Sequence, residues 1–223
     1  MILDRLELIN EEFRAETVTP VQYDTLLAGA WRHFGLHFFR YNFGVYENEI
    51  RRVMPLRIRL ADFTPSKSQR RIFRKNSDLV TEIRPIAISA ETHDLFERHK
   101  LRFKSGVPNS IYDFIARDAK NSPTELFQLT VCHDGRLVAA SYFDVGEISI
   151  SSIYAIFDPN EISRSLGIFT MLKEIEYAAA NGKSLYYHGY AYEGESYYDY
   201  KKRFSELEQF DWKGGWHQPE PPA

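Results

Sequence analysis

Apolar residues recur along the chain with two periods, and the switch between them marks out the elements. Leu26, Leu27 and Ala30 stand at helical spacing and predict a helix over 22–33, stopped by Gly35. Leu36 to Phe43 is aromatic and strand-like, and Glu49 to Leu60 continues extended with Val53, Leu56, Ile58 and Leu60 as apolar markers. Pro55 inside that run predicts an edge or a bulge. Pro65-Ser66 opens a helix that runs to about Asn76, with Ser66 as its cap. A strand near Leu79 to Ala87 follows, then helices near Glu91–Lys104 and Ser110–Ala119. Glu125 to Cys132 and Arg136 to Phe143 predict a hairpin, because Asp134-Gly135 between them supplies the left-handed turn that hairpins favour. Glu147 to Phe157 alternates as a third strand, 158–163 is a loop, and Ser165 to Ala180 is a helix stopped by Asn181-Gly182. Ser184 to His188 predicts a short buried strand, Tyr197 to Phe204 a helical turn or two, and Leu207 to Trp212 a last strand.

Composition narrows the class. A chain of 223 residues with 43% hydrophobic and 26% charged residues has the balance of a soluble globular protein. No charged-then-apolar leader and no apolar run near the length of a membrane span are visible, so a cytoplasmic protein with no membrane partner is expected. The single cysteine, Cys132, excludes an internal disulfide and lies in an apolar run that predicts a buried, inert thiol. Aromatic residues reach 15%; most belong in the core, and an exposed minority would offer stacking surfaces to bases.

Charge changes the picture more than composition does. The net charge is -3, yet Arg51, Arg52, Arg57, Arg59, Lys67, Arg70, Arg71, Arg74 and Lys75 face one acid, Asp62, in the segment 51–75. Such a local positive field attracts polyanions whatever the total charge. On the helix after Ser66, helical spacing puts Lys67, Arg70, Arg71, Arg74 and Lys75 on one face, with Ile72 and Phe73 pointing elsewhere. Like charges at those spacings repel, which implies a counter-ion.

The order hairpin, strand, loop, helix, strand, helix, strand predicts an α+β chain with a GNAT-like acyltransferase fold: a mixed, mostly antiparallel sheet flanked by helices. Residues 1–110 would form a GNAT-related N-terminal half carrying the basic helix, 111–216 a more complete C-terminal half, and 217–223 a flexible tail. In that fold the loop before the central helix offers backbone N–H groups to a phosphate-bearing donor. Here it reads Arg164-Ser165-Leu166-Gly167-Ile168-Phe169, so Arg164 and Gly167 match a coenzyme-A-binding loop while Phe169 is expected to obstruct a pyrophosphate.

Trp31-Arg32-His33-Phe34-Gly35, Phe39-Arg40, Pro55-Leu56-Arg57-Ile58, Phe63-Thr64-Pro65-Ser66-Lys67-Ser68-Gln69-Arg70-Arg71, Tyr154-x-x-Phe157-Asp158-Pro159, Arg164-Ser165-Leu166-Gly167, Gly189-Tyr190 and Tyr200-Lys201-x-Arg203-Phe204 stand at spaced positions from Ala30 to Glu208. In these motifs the chain resembles arginyl-tRNA–protein transferases and the bacterial aspartate/glutamate leucyltransferases. Two departures stand out. The family's cysteine cluster is absent from Tyr41 to Met54, so no iron–sulfur or metal cluster is expected and aminoacyl-tRNA is the co-substrate. His188 stands where relatives have an apolar residue.

The resemblance implies transfer of an arginyl or leucyl group from aminoacyl-tRNA to a protein amino terminus, an acidic one, marking it for degradation. Tyr190 would line the reaction centre, or be a core tyrosine with a satisfied hydroxyl. His188 is open between a general base and a structural histidine, and Tyr154 is a further catalytic candidate. Lys67, Arg70, Arg71, Arg74 and Lys75 would track tRNA phosphates, joined by Arg164, Ser165, Lys201 and Arg203. Arg40 and Arg57 are candidates for a bidentate grip on an acidic acceptor side chain. A coenzyme-A-dependent N-acyltransferase and a tRNA-binding relative without transferase activity are the competing readings.

Overall fold

A computed structural model describes residues 7–219 apart from Lys104, Ser105 and Asp118. Lys104, the expected end of one helix, Asp118 of another, and 220–223 of the expected tail lie outside the described residues. In chain order the elements are β1 (Asn10–Arg14), α1 (Pro20–Ala28), β2 (Arg32–Phe34), β3 (His37–Tyr41), β4 (Phe43–Tyr46), β5 (Glu49–Arg59), α2 (Lys67–Lys75), β6 (Val80–Pro85) and α3 (Ala90–Lys100). They continue with β7 (Glu125–His133), β8 (Arg136–Val145), β9 (Ser149–Phe157), α4 (Leu166–Ala180), β10 (Leu185–Tyr192), β11 (Leu207–Phe210) and β12 (Trp216–His217).

Among the described residues two sheets form. A three-stranded sheet has the order β1-β3-β2, and a nine-stranded sheet runs β12-β11-β5-β10-β9-β8-β7-β6 with β4 paired beside β5. The large sheet is mixed and flanked by helices, and β5 and β6 carry it across position 110. Its β9–β10 pair is parallel, and that ladder joins only Leu185–Tyr187 to Ser149–Ser151 before the strands part. The other pairs are antiparallel.

Alternation along β8 sorts the core onto two faces. Phe143 joins Leu56, Ile58, Leu172 and Ile175 beneath α4, whereas Tyr142 joins Leu95, Phe96, Ile111 and Ile115 beneath α3. A third cluster, Tyr23, Leu27, Phe38 and Tyr187, sits under α1. Pro55 is tolerated inside the sheet because β5 meets β10 on one side, while its other side is shared between β4 up to Arg52 and β11 from Leu56. The missing N–H of Pro55 falls in the gap between those two partners.

Three predicted elements change. The first helix ends at Ala28, not 33, since Gly29 caps it and Ala30 takes a left-handed φ of 63°, freeing Arg32 to enter β2. Among the described residues of 110–119 no α-helix forms: single 3-10 turns lie at Ile111–Asp113 and, from Ala119 onward, at Ala119–Asn121. There the Asp113 carboxylate accepts from the N–H groups of Asn109 and Ser110 and closes the turn on itself. Burial of Ile111 and Ile115 and stacking of Phe114 on Tyr154 then fix the path. The start of the expected tail is ordered, because His217 pairs with Gln209 in β12 and its ring meets Asp211 at 2.9 Å. Cys132 is only partly buried.

Two carboxyl groups are enclosed in this framework. Asp144 at the end of β8 is 0% exposed and meets His33 Nε2 at 2.6 Å, while the hydroxyls of Tyr23 and Thr124 donate to it at 3.1 and 2.5 Å. This ties α1 and β2 to the large sheet. Removing one member of a buried hydrogen-bonded cluster leaves its partners unsatisfied, at about 1–3 kcal/mol for each such group. Glu174 of α4 is also 0% exposed, and the Tyr186 hydroxyl donates to it at 2.7 Å.

Burial pushes the Glu174 carboxyl from an ordinary 4.5 up to about 7. The folded chain therefore keeps a proton that the unfolded chain releases, so stability falls as pH rises from 4.5 to about 7. Glu174→Gln cannot ionise and should remove that fall. Thermal melts between about pH 5 and pH 8 should show the parent protein losing several degrees more than the variant, at about 2–4 °C per kcal/mol. Parallel curves for the two proteins would exclude Glu174 as the buried acid.

Candidate active site

Where β9 and β10 part, the chain leaves a cleft of about 330 Å³. Its walls are largely aromatic: Phe34, Phe39, Tyr41, Phe114, Tyr154 and Tyr198 are among them. Gly167, in the first turn of α4, also lines it. Arg32, Arg102 and Lys201 supply positive charge, and the described lining contains no Asp or Glu.

The local fold explains each placement. On β2, alternation sends His33 inward to Asp144 and turns its neighbours Arg32 and Phe34 toward the cleft. Arg32 is held there by Nη1 donating to Ser151 Oγ at 2.5 Å and Nη2 donating to the Ser152 carbonyl. On β10, the register against β5 slips between Tyr187 and Gly189, a bulge at His188. Gly189 then adopts φ 94°, and a Cβ there would sit 3.1 Å from Lys201 Nζ and 3.7 Å from Arg32 Nη2. The positive φ favours glycine, and a Cβ would crowd the Lys201 ammonium.

The three catalytic candidates all line the cleft, in different states. The Tyr190 hydroxyl donates to the Ala30 carbonyl at 2.6 Å, so its proton is committed to the turn that leads into β2. His188 is 3% exposed, and its Nε2 donates to the Lys201 carbonyl at 3.1 Å. Burial and then the nearby Lys201 charge push that imidazole down to about 3, so it stays neutral over the physiological range. Tyr154 differs: its buried hydroxyl has no hydrogen-bond partner among the described residues, and its ring stacks on Phe114 at 3.8 Å. Burial raises it to about 12, which keeps the hydroxyl a proton donor.

The basic helix α2 lies beside the head of α4. Asn76 Nδ2 donates to the Arg164 carbonyl at 2.9 Å, Lys75 Nζ to the Ser163 carbonyl at 2.5 Å, and Gln69 Nε2 to the Arg203 carbonyl at 3.5 Å. Ser66 caps it through a reciprocal bond pair with Gln69. Lys67, Arg70, Arg71, Arg74 and Lys75 are all exposed, and none has a carboxylate within salt-bridge distance among the described residues. Arg203 and Ser165 are exposed beside them.

Four expected contacts are placed otherwise. Arg164 is held by Asp78 and Glu161, each at 2.9 Å, and is no part of the unpaired face. Lys201 lies on the cleft floor with Nζ donating to the Tyr190 carbonyl at 3.1 Å; burial and then Arg32 push it down to about 7. Arg40 is bound to Glu11 at 2.7 Å and Arg57 to Glu208 at 2.7 Å, and neither reaches the cleft. Nor does Phe169 obstruct the helix head, since it is 3% exposed and packs on Phe73. Arg32 and Arg102 were not singled out from sequence. Arg32 stands inside the Trp31–Gly35 motif, and its place two residues from Phe34 on one strand face was the available signal.

Comparison with known proteins places the chain in a family. Residues 91–211 match the family model described as "Arginine-tRNA-protein transferase, C terminus". An aspartate/glutamate leucyltransferase of Acinetobacter baumannii is 32% identical over 162 residues, covering 71% of this chain and 59% of its own length. That of Xanthomonas euvesicatoria pv. vesicatoria is 31% identical, covering 74% of this chain and 70% of its own. The chain thus spans about 59% of the length of the Acinetobacter relatives it matches. Among solved structures, FemX superposes with a TM-score of 0.52 at 10% identity over 87% of this chain and 67% of FemX, a likeness of fold alone. With more than half of its residues inside that family model and a third of matched positions shared with such relatives, the chain belongs to the arginine-tRNA-protein transferase, C-terminus family.

Proposed function

We propose that this chain transfers an aminoacyl group, leucyl in preference to arginyl, from aminoacyl-tRNA to the N-terminal amine of a protein beginning with Asp or Glu. One observation carries the reading: an aromatic cleft with cationic side chains and no carboxylate in its described lining shares the head of α4 with a helix that bears five exposed cations free of carboxylate partners among the described residues. An arginyl side chain there would lie near Arg32, Arg102 and Lys201 with no carboxylate to pair it. A leucyl side chain gains from leaving water. The names of the matched relatives support the same donor. The parting strands and the helix head between them support a GNAT-like arrangement of 111–216.

In this reading the exposed cations of α2 and Arg203 track tRNA phosphates, and the terminal ester enters the cleft past Gly167. The acceptor amine attacks the ester carbonyl: a C–N bond forms, the C–O bond to the terminal ribose breaks, and the ribose hydroxyl leaves with a proton. With a pKa of ~7.7–8.0, about a tenth of such amines are neutral at pH 7, so positioning supplies most of the acceleration. Tyr154, rather than Tyr190, donates to the developing oxyanion because its hydroxyl is otherwise unengaged. His188 holds the Lys201 backbone.

Labelled Leu-tRNA and Arg-tRNA incubated with peptides starting in Asp, Glu or Ala should give leucyl transfer to the acidic pair. No transfer from any donor sinks the reading, and stabilisation by acetyl-CoA in a melt would redirect it to an ordinary acyltransferase. Reversing Arg70 and Arg71 to Glu should weaken tRNA binding at least about tenfold at 0.1 M salt and flatten its salt dependence, with an unchanged circular dichroism spectrum. Undiminished binding removes α2 from the interface. Tyr154→Phe should lower kcat about a hundredfold with little change in KM for aminoacyl-tRNA. An equal rise in KM with kcat intact would make Tyr154 a binding residue only.

A further inference from the structure

Arg32 and Lys201 belong to segments far apart in sequence, yet both reach the same point above Gly189. Two cations this close repel, and neither has a carboxylate within salt-bridge distance among the described residues. Arg32 Nη1 and Nη2 are directed by Ser151 and Ser152, and Lys201 Nζ by the Tyr190 carbonyl, so both groups are aimed rather than loose. Glu174 of α4, on which the Arg32 charge acts, is fully buried and keeps its proton up to about 7. The bare Cα of Gly189 leaves this space open, since a Cβ there would stand 3.1 Å from Lys201 Nζ and 3.7 Å from Arg32 Nη2.

We infer that Arg32 and Lys201 together form the subsite that reads the acidic side chain of the acceptor's first residue, taking its carboxylate between them over Gly189. The inference rests on the reading of the cleft as the place where the aminoacyl ester and the acceptor amine meet. The walls around the two cations are largely aromatic, which suits a short apolar stem carrying an anion. Asp and Glu carry their carboxylate on one or two methylenes. A phosphodiester is flanked by two riboses and suits the open face of α2 instead. A carboxylate seated on the floor also leaves its own α-amine a few bonds higher, toward Tyr154 and the approaching ester. An Asn or Gln amide of the same shape would leave both cations uncompensated, which gives strong rejection from a small chemical difference. Arg40 and Arg57, each tied to an internal glutamate, are relieved of this role.

Equilibrium binding of short peptides starting in Asp, Glu, Asn or Gln, measured by calorimetry without tRNA, tests the subsite apart from transfer. The parent protein should prefer Asp and Glu over their amides by at least about tenfold. Lys201→Met, close in shape and free of the buried amine, should cut that preference to about threefold or less. Lys201→Arg should retain most of the preference, and filter binding of Leu-tRNA should change less than about twofold in either variant. Thermal melts establish that each variant is folded, and the parent's own Asp-against-Asn ratio stands even if one is not. A parent protein indifferent to the acid overturns the inference while leaving any observed transfer intact. An unchanged peptide preference in Lys201→Met, with weaker Leu-tRNA binding, overturns it in favour of a terminal phosphate. Discrimination without transfer upholds the subsite and removes the transferase reading.

Discussion

The contact between His33 and Asp144 decides where the cleft is. Asp144 sits at the end of a central strand, fully enclosed, and gathers an imidazole and two hydroxyls from three separate segments. Because side chains alternate along a strand, fixing His33 inward fixes Arg32 outward, onto the parting of β9 and β10. A short three-residue strand has little register information of its own. The buried carboxylate supplies it. Tyr190 adds a second hold one step upstream, at the Ala30 carbonyl, so the turn into β2 is gripped from both sides.

Positive charge is divided in a way that separates architecture from chemistry. Arg40, Arg57, Arg59, Arg136 and Arg164 are closed onto carboxylates and fasten segments together. The cations of α2, and the pair beside Gly189, are left without such partners among the described residues. Holding like charges together without compensation opposes folding, and a protein tolerates that where an anionic ligand is to be received. The exposed set is spread along a helix, as a polyanion requires. The enclosed pair is concentrated at one point, which fits a single small anion.

Much of this was legible in the residues. The α2 face followed from charge at helical spacing, and Ser66 and Gln69 announced its start, because capping and periodicity are local. Asp134-Gly135 fixed the β7–β8 hairpin for the same reason. What could not be read was partner choice across long separations. Arg164 and Lys201 look alike in sequence, yet one meets Asp78 and Glu161 while the other lies against Arg32. Tyr190 and Tyr154 both looked reactive, and only the position of the Ala30 carbonyl separates them. The 22–33 helix failed at Gly29–Ala30, where a left-handed residue is imposed by tertiary contacts rather than by propensity.

Trp216, whose indole N–H donates to the Ala28 carbonyl at 2.8 Å, links positions 188 residues apart. Trp212 makes a like bond to Val53 at 2.7 Å. The segment leading into Arg32 is thus clasped by residues that leave the ribosome long after it. A topology with such high contact order folds slowly. A half-made chain would expose its α2 cations early, while the enclosed floor waits for the last strands to arrive. The exposed cationic surface is therefore complete before the pair beside Gly189 exists, a temporal order set by connectivity alone.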